Sequence, residues 1–383
     1  MNRKRILIVA MLDSVHTFRW LSQFKDSEID FVIFPSKKHK LIHKGTLQLL
    51  DSKNRATFKL ARFGKWARFH GYLDFLMHIV SSRLIDRDFR LLALMKLAQK
   101  NHYDYVHALE IQGAGYLVDS LKRSNQFQFS TILTNWGSDI YFYQNLPDHK
   151  ERIASALLSA DYYSAECRRD YSLARDLGFK GIELPCIPNA GGFLIEDQTP
   201  SEAASARVNV VAKTYGGEFG RGDLIIAALR NVFSLIPGYT AFLYSVTDDL
   251  IEQAERLMQE FPGRISYSSR KNPLTRAEMK SLFQRSRVYV GASRSDGIST
   301  SFLEALNYGC YPIQTDTSCA GDWKELGAEA SIVSQDSNEI ENNLIIALRD
   351  DDLVDRAQIK NLAVAKQHLG FDQISKVAKT FYS

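Results

Sequence analysis

Short apolar runs separated by amphipathic stretches make up the first half of the chain. The runs at Arg5–Met11, Asp30–Pro35, Tyr105–Leu109 and Thr131–Thr134 have the length and composition of buried strands. An amphipathic stretch that begins at about Ser14 predicts a helix directly after the first strand. Strands that alternate with helices favour a parallel sheet with helices packed on its faces.

The second half repeats this pattern after the polar stretch Glu196–Arg207. Predicted strands lie near Val208–Lys213, Thr240–Val246, Arg264–Ser268, Val288–Ala292 and Tyr311–Thr315. We therefore expect an α/β protein with a first domain at 1–190 and a second at 191–365. The final segment, 366–383, contains a helix that we expect to pack back on the first domain. Because ligands bind at the carboxyl ends of parallel strands, we expect the two domains to face each other across a cleft that holds the chemistry.

The composition is that of a globular protein. Hydrophobic residues make up 45% and charged residues 24% of the 383 positions, which excludes a disordered chain. Asp13 interrupts the apolar run after Arg5, so this run predicts a strand and not a secretory signal. No run reaches the roughly 18 to 20 apolar residues that a membrane span needs. The four cysteines form no CxxC pair, so we expect no metal site, no cofactor and a cytoplasmic location.

The charge is distributed unevenly along the chain. Residues 1–190 contain 28 basic and 19 acidic residues, whereas 191–383 contain 20 and 25, which gives net charges of +9 and −5. Basic and aromatic residues alternate in the segment 37–72, and such a surface suits an anionic membrane face. We expect this segment to touch the inner leaflet of the cytoplasmic membrane. A helix with buried aromatic residues and solvated bases is the alternative, and no nucleic-acid-binding fold is evident.

The most informative motif follows the predicted strand Val288–Ala292. Gly297 permits a sharp turn, and the small polar residues Ser299, Thr300 and Ser301 favour the start of a helix. The amino end of a helix offers free N–H groups and partial positive charge, which suit a diphosphate.

Two carboxylates belong to the same motif. Asp296 stands near the end of the strand, and Glu304 follows eight residues later on the predicted helix. Both could accept hydrogen bonds from hydroxyl groups of one ligand. The alternative is a capped core helix with incidental acids.

A second motif follows the predicted strand Val208–Lys213. Lys213 precedes a glycine-rich loop, and Arg221 and Gly222 precede the next apolar stretch. Two fixed cations beside such a loop can bind an anionic ligand such as a diphosphate. A plain surface turn is the alternative.

Candidate acceptor-side residues follow the strands of the first domain, where a parallel sheet presents its ligand loops. They are His16, Arg19, His107, Trp136 and Asp139, and Glu110 in the same region is a candidate for the chemical step. Trp136 is expected either to stack on a sugar ring or to fill the core, and His16 is expected to have either a functional or a structural role.

The motif of the second half resembles the signature of glycosyltransferase family 4, whose members are retaining enzymes with the GT-B fold of two Rossmann-like α/β/α domains. That signature is a Glu-x7-Glu pair followed by Ala, Gly and Pro. Asp296-x7-Glu304, with Ala305, Gly309 and Pro312, has this spacing, with Asp in place of the first Glu. The resemblance implies that Asp296 holds the transferred sugar, Glu304 the ribose, and the backbone of 299–301 the distal phosphate.

The remaining motifs resemble the same family with substitutions. Arg221-Gly222 stands in the place of a Lys-Gly pair, so that Lys213 and Arg221 would stabilise the leaving diphosphate in place of a metal ion. The segment 13–20 is similar to the family's His-Thr-x-Arg-Trp start. Leu109 and Trp136 stand where the family often has His. The candidate catalytic residues are then Asp296, Glu304, His16 and Glu110.

The resemblance implies a metal-independent glycosyltransferase. It would move a sugar from a UDP- or GDP-sugar to a glycan or lipid-linked acceptor, with retention, in the synthesis of a cell-surface polysaccharide, lipopolysaccharide or glycolipid. A sugar-nucleotide epimerase of the same fold and a catalytically idle binding protein are the alternatives. The substitutions at Leu109 and Trp136 argue against an epimerase, because they remove acid–base groups.

Overall fold

The chain forms two compact units. The computed structural model describes residues 3–37, 41–61, 89–124, 127–195 and 202–383. One unit comprises Met1–Gly192 with Asp372–Ser383, and the other comprises Phe193–Phe371. The first unit therefore extends two residues beyond the predicted boundary, and its C-terminal part begins six residues later than predicted.

A parallel sheet forms the centre of the first unit. Its strands are β1 (Lys4–Ala10), β2 (Ile29–Pro35), β3 (Thr57–Leu60), β4 (Tyr105–Leu109), β5 (Ser130–Thr134), β6 (Tyr162–Ser164) and β7 (Ile182–Glu183). They are arranged in the order β3-β2-β1-β4-β5-β6-β7, and every pairing is parallel. The strand order reverses between β1 and β4, which are neighbours in the sheet.

Helices cover both faces of this sheet. Those among the described residues are α1 (Val15–Ser22), α2 (Lys44–Asp51), α3 (Phe89–Lys100), α4 (Tyr116–Arg123), α5 (Ser138–Tyr141), α6 (Pro147–Ser159) and α7 (Arg168–Asp176). Side chains of a strand alternate between the two faces, so β1 supplies two cores. Leu7 and Val9 belong to one buried cluster, and Ile6 and Ile8 belong to the other.

A second parallel sheet forms the centre of the other unit. Its strands are β8 (Asn209–Lys213), β9 (Thr240–Val246), β10 (Ile265–Ser269), β11 (Ser286–Gly291), β12 (Tyr311–Thr315) and β13 (Ser331–Val333). The order is β10-β9-β8-β11-β12-β13, again with parallel pairings only. Here the strand order reverses between β8 and β11.

The helices of the second unit again pack on both faces of its sheet. They are α8 (Gly222–Leu235), α9 (Ile251–Glu260), α10 (Arg276–Gln284), α11 (Thr300–Asn307), α12 (Ala320–Glu325), α13 (Ser337–Arg349) and α14 (Asp351–His368). Val210 and Ala212 of β8 belong to one core cluster, whereas Val211 belongs to the other.

The C-terminal segment is part of the first unit. The last helix, α15 (Phe371–Lys379), follows the break at Gly370, and Ile374 and Ala378 lie in the core of the first unit. The Ser375 hydroxyl donates to the Gln23 carbonyl at 2.6 Å, and the Lys4 ammonium donates to the Tyr382 carbonyl at 2.7 Å. These bonds fasten the segment to the first helix region and to β1.

All nine strands predicted above are present within two residues of their observed bounds. β3 was missed because Thr57–Leu60 lies in the segment that was interpreted as a basic aromatic surface. Phe58 of this strand is buried and stacks on Phe31 with ring centroids 5.4 Å apart, so it does not belong to an exposed surface. Of the predicted surface 37–72, residues 38–40 and 62–72 lie outside the described residues. Within the described part of the chain, no helix is long and apolar enough to cross a bilayer.

Candidate functional site

The two sequence motifs of the second unit meet where the strand order of its sheet reverses. β8 and β11 are neighbours in the sheet, although β9 and β10 separate them along the chain. Lys213, the last residue of β8, pairs in register with Gly291, the last residue of β11. Ligands of open parallel sheets bind beyond the carboxyl ends of strands at such a reversal. This edge of the sheet is therefore the candidate donor site.

Backbone contacts hold the loop after β8 against the loop after β11. Gly220 forms an antiparallel bridge with Ser293. The Arg294 N–H donates to the Phe219 carbonyl at 2.7 Å. The structure thus brings together two motifs that lie about 80 residues apart in the sequence.

Close backbone packing requires the glycines of the loop after β8. A Cβ atom on Gly220 would lie 2.1 Å from the carbonyl oxygen of Tyr215, and one on Gly222 would lie 2.9 Å from the Tyr215 nitrogen. The Gly222 N–H donates to the same carbonyl oxygen at 2.8 Å. A side chain at either glycine would force the loop away from Tyr215.

Lys213 lies beside an aromatic ring. Its ammonium nitrogen is 4.9 Å from the centroid of the Tyr215 ring, and both side chains are half-buried. Burial raises the pKa of Tyr215, and the negative charge of Asp296 raises it further. Tyr215 is therefore electrostatically coupled to the Asp296 carboxylate as well as being in contact with Lys213.

Arg221 does not provide a second unneutralised cation. Its guanidinium donates to both carboxylate oxygens of Asp223, with its Nε at 3.0 and 3.2 Å and its Nη2 at 2.9 Å. This carboxylate raises the pKa of Arg221. The sequence motif predicted two equivalent cations beside the diphosphate, but in the structure the charge of Arg221 is already paired within its own helix turn.

The amino end of α11 lies at the same edge of the sheet. Its N-cap residue, Ser299, makes no side-chain cap bond. Ser299 and Ser301 are buried, and Thr300 is half-buried. A helix start of this kind offers first-turn N–H groups and partial positive charge to an anion.

The two carboxylates of the motif flank this helix start. Asp296 is half-buried in the preceding loop, where its N–H donates to the Thr317 carbonyl at 3.3 Å. The neighbouring Gly297 is buried, and its carbonyl accepts from the Cys319 N–H at 2.7 Å. Glu304 is half-buried in the second turn of the helix. Asp296 therefore precedes the first turn of the helix, and Glu304 follows it.

Three tyrosines lie at this edge of the sheet and are not among the site residues predicted from the sequence. Besides Tyr215, the buried residues Tyr244 and Tyr289 lie here, and the Tyr289 hydroxyl donates to Gln314 Oε1 at 3.2 Å. A Cβ atom on Gly291 would lie 2.3 Å from the Tyr289 hydroxyl oxygen, so glycine leaves the space that this ring needs to reach the strand end. A tyrosine two residues before a strand-terminal glycine is the signal that could have identified Tyr289.

Burial raises the pKa of Tyr244 and of Tyr289, and the charge of Glu304 contributes to both shifts. Asp296 also raises the pKa of Tyr289. These two phenols therefore stay neutral near pH 7.

In the first unit, three of the residues expected on the acceptor side, His16, Arg19 and Trp136, lie beyond the ends of β1 and β5. Ser14 caps α1, since its hydroxyl oxygen accepts from the His16 N–H at 3.1 Å. The rings of His16 and Trp136 lie with their centroids 5.4 Å apart. His16, Arg19 and Trp136 are all half-buried. The structure therefore brings His16 and Trp136 together, although 120 positions separate them in the sequence.

Glu110 follows β4 in an unusual backbone conformation. Its φ is 95°, in the left-handed region that non-glycine residues rarely adopt. Its buried carboxylate accepts hydrogen bonds from the N–H groups of Gly113 and Ala114 at 2.7 and 2.6 Å. Burial raises the pKa of Glu110, and these two hydrogen bonds oppose the rise. The side chain predicted as catalytic is therefore engaged in capping its own turn.

Asp139 is bound to the same turn. Its Oδ2 accepts from the N–H groups of Ile111 and Trp136 at 2.9 and 3.0 Å. Burial, together with the nearby charge of Glu110, raises the pKa of Asp139 to about 8. Two acids and the N–H groups of one turn thus form a buried polar cluster beside the ring of Trp136.

His107 lies in the core and not at the strand end. It is completely buried, with Nδ1 2.7 Å from the Tyr382 hydroxyl and Nε2 2.6 Å from the Thr134 hydroxyl. Burial lowers the pKa of His107 to about 3. The expectation that His107 faces an acceptor is therefore wrong, because its position within β4 directs its ring into the sheet's packed face.

Known proteins support this assignment of the fold. Residues 77–167 match the family model described as Glycosyl transferase 4-like. No curated protein sequence matches the chain. Among solved structures, the Anabaena protein Alr3699/HepE in complex with UDP and glucose has 14% identity and a TM-score of 0.69, over 99% of both chains.

Two further solved structures are similar over nearly their whole length. Sucrose-phosphate synthase from Thermosynechococcus elongatus has 13% identity and a TM-score of 0.69, over 99% of this chain and 98% of that one. The E. coli trehalose-6-phosphate structure with bound UDP-2-fluoro glucose has 12% identity and a TM-score of 0.70, over 99% of both chains. The shared architecture shows the GT-B fold of two Rossmann-like α/β domains, and within it the segment 77–167 is similar to the Glycosyl transferase 4-like family.

Proposed function

We propose that this protein is a glycosyltransferase of the family 4 type, which transfers a hexose from a UDP-sugar to a hydroxyl group of a glycan or lipid-linked glycan with retention of configuration. The observation that carries the proposal is the bridge between Gly220 and Ser293. It joins the loop after Lys213 to the loop that contains Asp296, beside the open amino end of α11. UDP or UDP-sugars are bound in the similar structures from Anabaena and E. coli, which supports uracil as the base of the donor.

In this proposal the second unit binds the donor through four groups. The N–H groups at residues 299–301 receive the distal phosphate, and the Lys213 ammonium lies beside the diphosphate. Glu304 accepts hydrogen bonds from the ribose, and Asp296 accepts them from the transferred sugar. A carboxylate at each end of the diphosphate site matches a ligand whose hydroxyl groups lie on both sides of its phosphates.

The chemical step is the departure of the diphosphate from the sugar. Negative charge grows on the diphosphate as the C–O bond breaks, and pre-positioned positive groups stabilise it more in the transition state than in the ground state. Lys213 and the helix start provide such groups without a metal ion. The leaving phosphate would accept the proton of the acceptor hydroxyl on the same face of the sugar, which gives retention.

We propose that the first unit binds the acceptor at the ends of β1 and β5. His16, Arg19 and Trp136 are half-buried there, and an aromatic ring beside polar groups suits a sugar ring. The corresponding product would be a cell-surface polysaccharide, lipopolysaccharide or glycolipid.

Contact with an anionic membrane through 37–72 is a further part of the proposal. Within the described residues, Lys59 is exposed, but Arg55 is paired with Glu28 at 2.8 Å. Sedimentation with phosphatidylglycerol vesicles tests this part, with neutralisation of Lys37, Lys44, Lys53 and Lys59 as the variant. Equal recovery of both proteins would contradict membrane contact.

Incubation with radiolabelled UDP-glucose, UDP-galactose, UDP-N-acetylglucosamine and GDP-mannose tests the central proposal. We expect slow release of free UDP from one UDP-sugar, and faster release when a suitable acceptor is present. EDTA should not reduce this rate. A changed sugar that remains on its nucleotide would identify an epimerase instead, and binding without turnover would identify an idle binding protein.

A further inference from the structure

The loop after β8 is built around Tyr215. The Tyr215 carbonyl accepts a hydrogen bond from Gly222, and the absence of a side chain on Gly220 leaves room for the Tyr215 ring. A Cβ atom on Gly220 would lie 2.6 Å from the Cδ2 atom of that ring. The same loop is held against Ser293 by the bridge at Gly220. The Gly220 backbone therefore packs against one edge of the Tyr215 ring, and hydrogen bonds fix the loop that carries both residues.

The ring of Tyr215 in turn holds the Lys213 ammonium, at 4.9 Å from its centroid. A cation near the face of an aromatic ring is attracted by the ring's negative electrostatic potential. Among the described residues, the ammonium of Lys213 forms no ion pair with a carboxylate. Its recorded contact is with the ring.

The nearby Arg221 provides the contrast. Its guanidinium is bound to the Asp223 carboxylate, whose opposite charge reduces its attraction for a further anion. An aromatic ring restrains a cation without cancelling its charge, because the ring carries no net charge. A lysine held in this way keeps its attraction for an anionic ligand and loses less rotamer entropy on binding one.

We infer that Tyr215 is a positioning residue of the proposed donor site, which holds Lys213 as an unneutralised cation for the diphosphate of the donor. The inference rests on the proposed function only for the identity of the donor. Lys213, held by the Tyr215 ring, would attract any diphosphate. Tyr215 acts through Lys213, so its contribution disappears when the lysine is removed.

A double-mutant cycle tests this relationship. Calorimetry would measure the affinity for UDP and for inorganic pyrophosphate in the wild type, Tyr215→Leu, Lys213→Met and the double variant. We expect Tyr215→Leu to weaken both affinities by roughly two- to tenfold, which is the range of the entropy cost of ordering one long side chain on binding. In the Lys213→Met background, the same change should have little further effect.

Tyr215→Phe separates the ring from the hydroxyl group. Because phenylalanine retains the ring, it should recover most of the affinity that Tyr215→Leu loses. Tyr267→Leu is the matched control, since Tyr267 lies on β10 and its hydroxyl donates to Glu255 at 2.9 Å. This control should bind UDP and pyrophosphate like the wild type.

Three outcomes would overturn the inference. The first is wild-type affinity in Tyr215→Leu, and the second is an equal loss in the presence and absence of the lysine, which a purely structural role predicts. The third is a wild type that binds neither UDP nor pyrophosphate, which would overturn the proposed function as well. Pyrophosphate binding without UDP binding would contradict only the proposed donor and leave the cycle measurable. Circular dichroism of each variant verifies that it is folded.

Discussion

Gly220 and Ser293 form an antiparallel bridge that ties the loop after β8 to the loop after β11. Each loop follows a strand that ends at the reversal of strand order in the second unit. The bridge therefore sets the distance between the Lys213 side of the candidate donor site and its Asp296 side. A change that separates the loops should weaken donor binding even if every polar side chain remains.

Gly220→Ala tests the bridge directly. The new Cβ atom would lie 2.1 Å from the Tyr215 carbonyl oxygen, so the loop must move. We expect the free energy of unfolding of the second unit to fall by about 1–3 kcal/mol, together with a loss of UDP affinity. Urea denaturation and calorimetry measure the two effects. Gly321→Ala is the control, since a Cβ atom there meets nothing within 4 Å, and a Gly220→Ala variant as stable as this control would contradict the steric argument.

Lys213→Met and Glu304→Ala should each remove most donor turnover. Lys213 would stabilise the negative charge that develops on the diphosphate, and loss of one such group reduces turnover by roughly 100- to 1000-fold. Loss of Glu304 would remove the proposed hydrogen bonds to the ribose. Arg221→Gln should reduce it by less than about tenfold, because Asp223 already neutralises this guanidinium. Release of UDP from the preferred donor measures all three rates, with unfolding curves to verify the fold. A larger loss in Arg221→Gln than in Lys213→Met would reverse the roles assigned to the two cations.

Asp139 should make the first unit less stable as the pH rises. Its pKa is about 8 in the folded protein, against an ordinary value of 3.8. The folded state therefore binds the proton more tightly, and the stability from this group decreases between about pH 4 and pH 8. Each pKa unit corresponds to about 1.4 kcal/mol, so the stability of Asp139→Asn relative to wild type should increase by at least about 1.4 kcal/mol between pH 5 and pH 8. Thermal unfolding at several pH values measures this change in stability. Asp148→Asn, at an exposed position, is the control. If stability depends on pH in the same way in all three proteins, Asp139 is ionised in the folded state.

His107 should make the first unit less stable as the pH falls. Its pKa is about 3 in the folded protein, against an ordinary value of 6.5. The unfolded state therefore binds the proton more tightly, so the stability from this group is present above pH 6.5 and decreases as the pH falls towards 3. Between pH 7 and pH 5, we expect a loss of about 2 kcal/mol that is absent in His107→Asn. The control, His102→Asn, changes an exposed residue and should lose stability with falling pH as the wild type does. If His107→Asn also loses stability in this way, the acid sensitivity comes from other groups.

Much of the architecture could be predicted from the sequence, because the strands of a parallel sheet with helices on both faces are apolar on both sides. Tyr105–Leu109, Thr240–Val246 and Tyr311–Thr315 were predicted with their observed bounds. The turns and helix starts around Lys213 and Asp296 could also be predicted, since they depend on local residue types. The strand Thr57–Leu60 was missed, because its lysine and its neighbours gave an edge strand the appearance of a basic surface.

The sequence by itself determined two α/β domains and the position of the donor motifs at strand ends, because periodicity and turn chemistry are local properties. Only the tertiary structure decided which charges are available. Asp223 forms an ion pair with Arg221, whereas the Tyr215 ring contacts Lys213 without neutralising its charge. His107 is buried in the core. Solvation and pairing depend on which side chains pack together in space, and residues such as His107 and Tyr382 meet although 275 positions separate them.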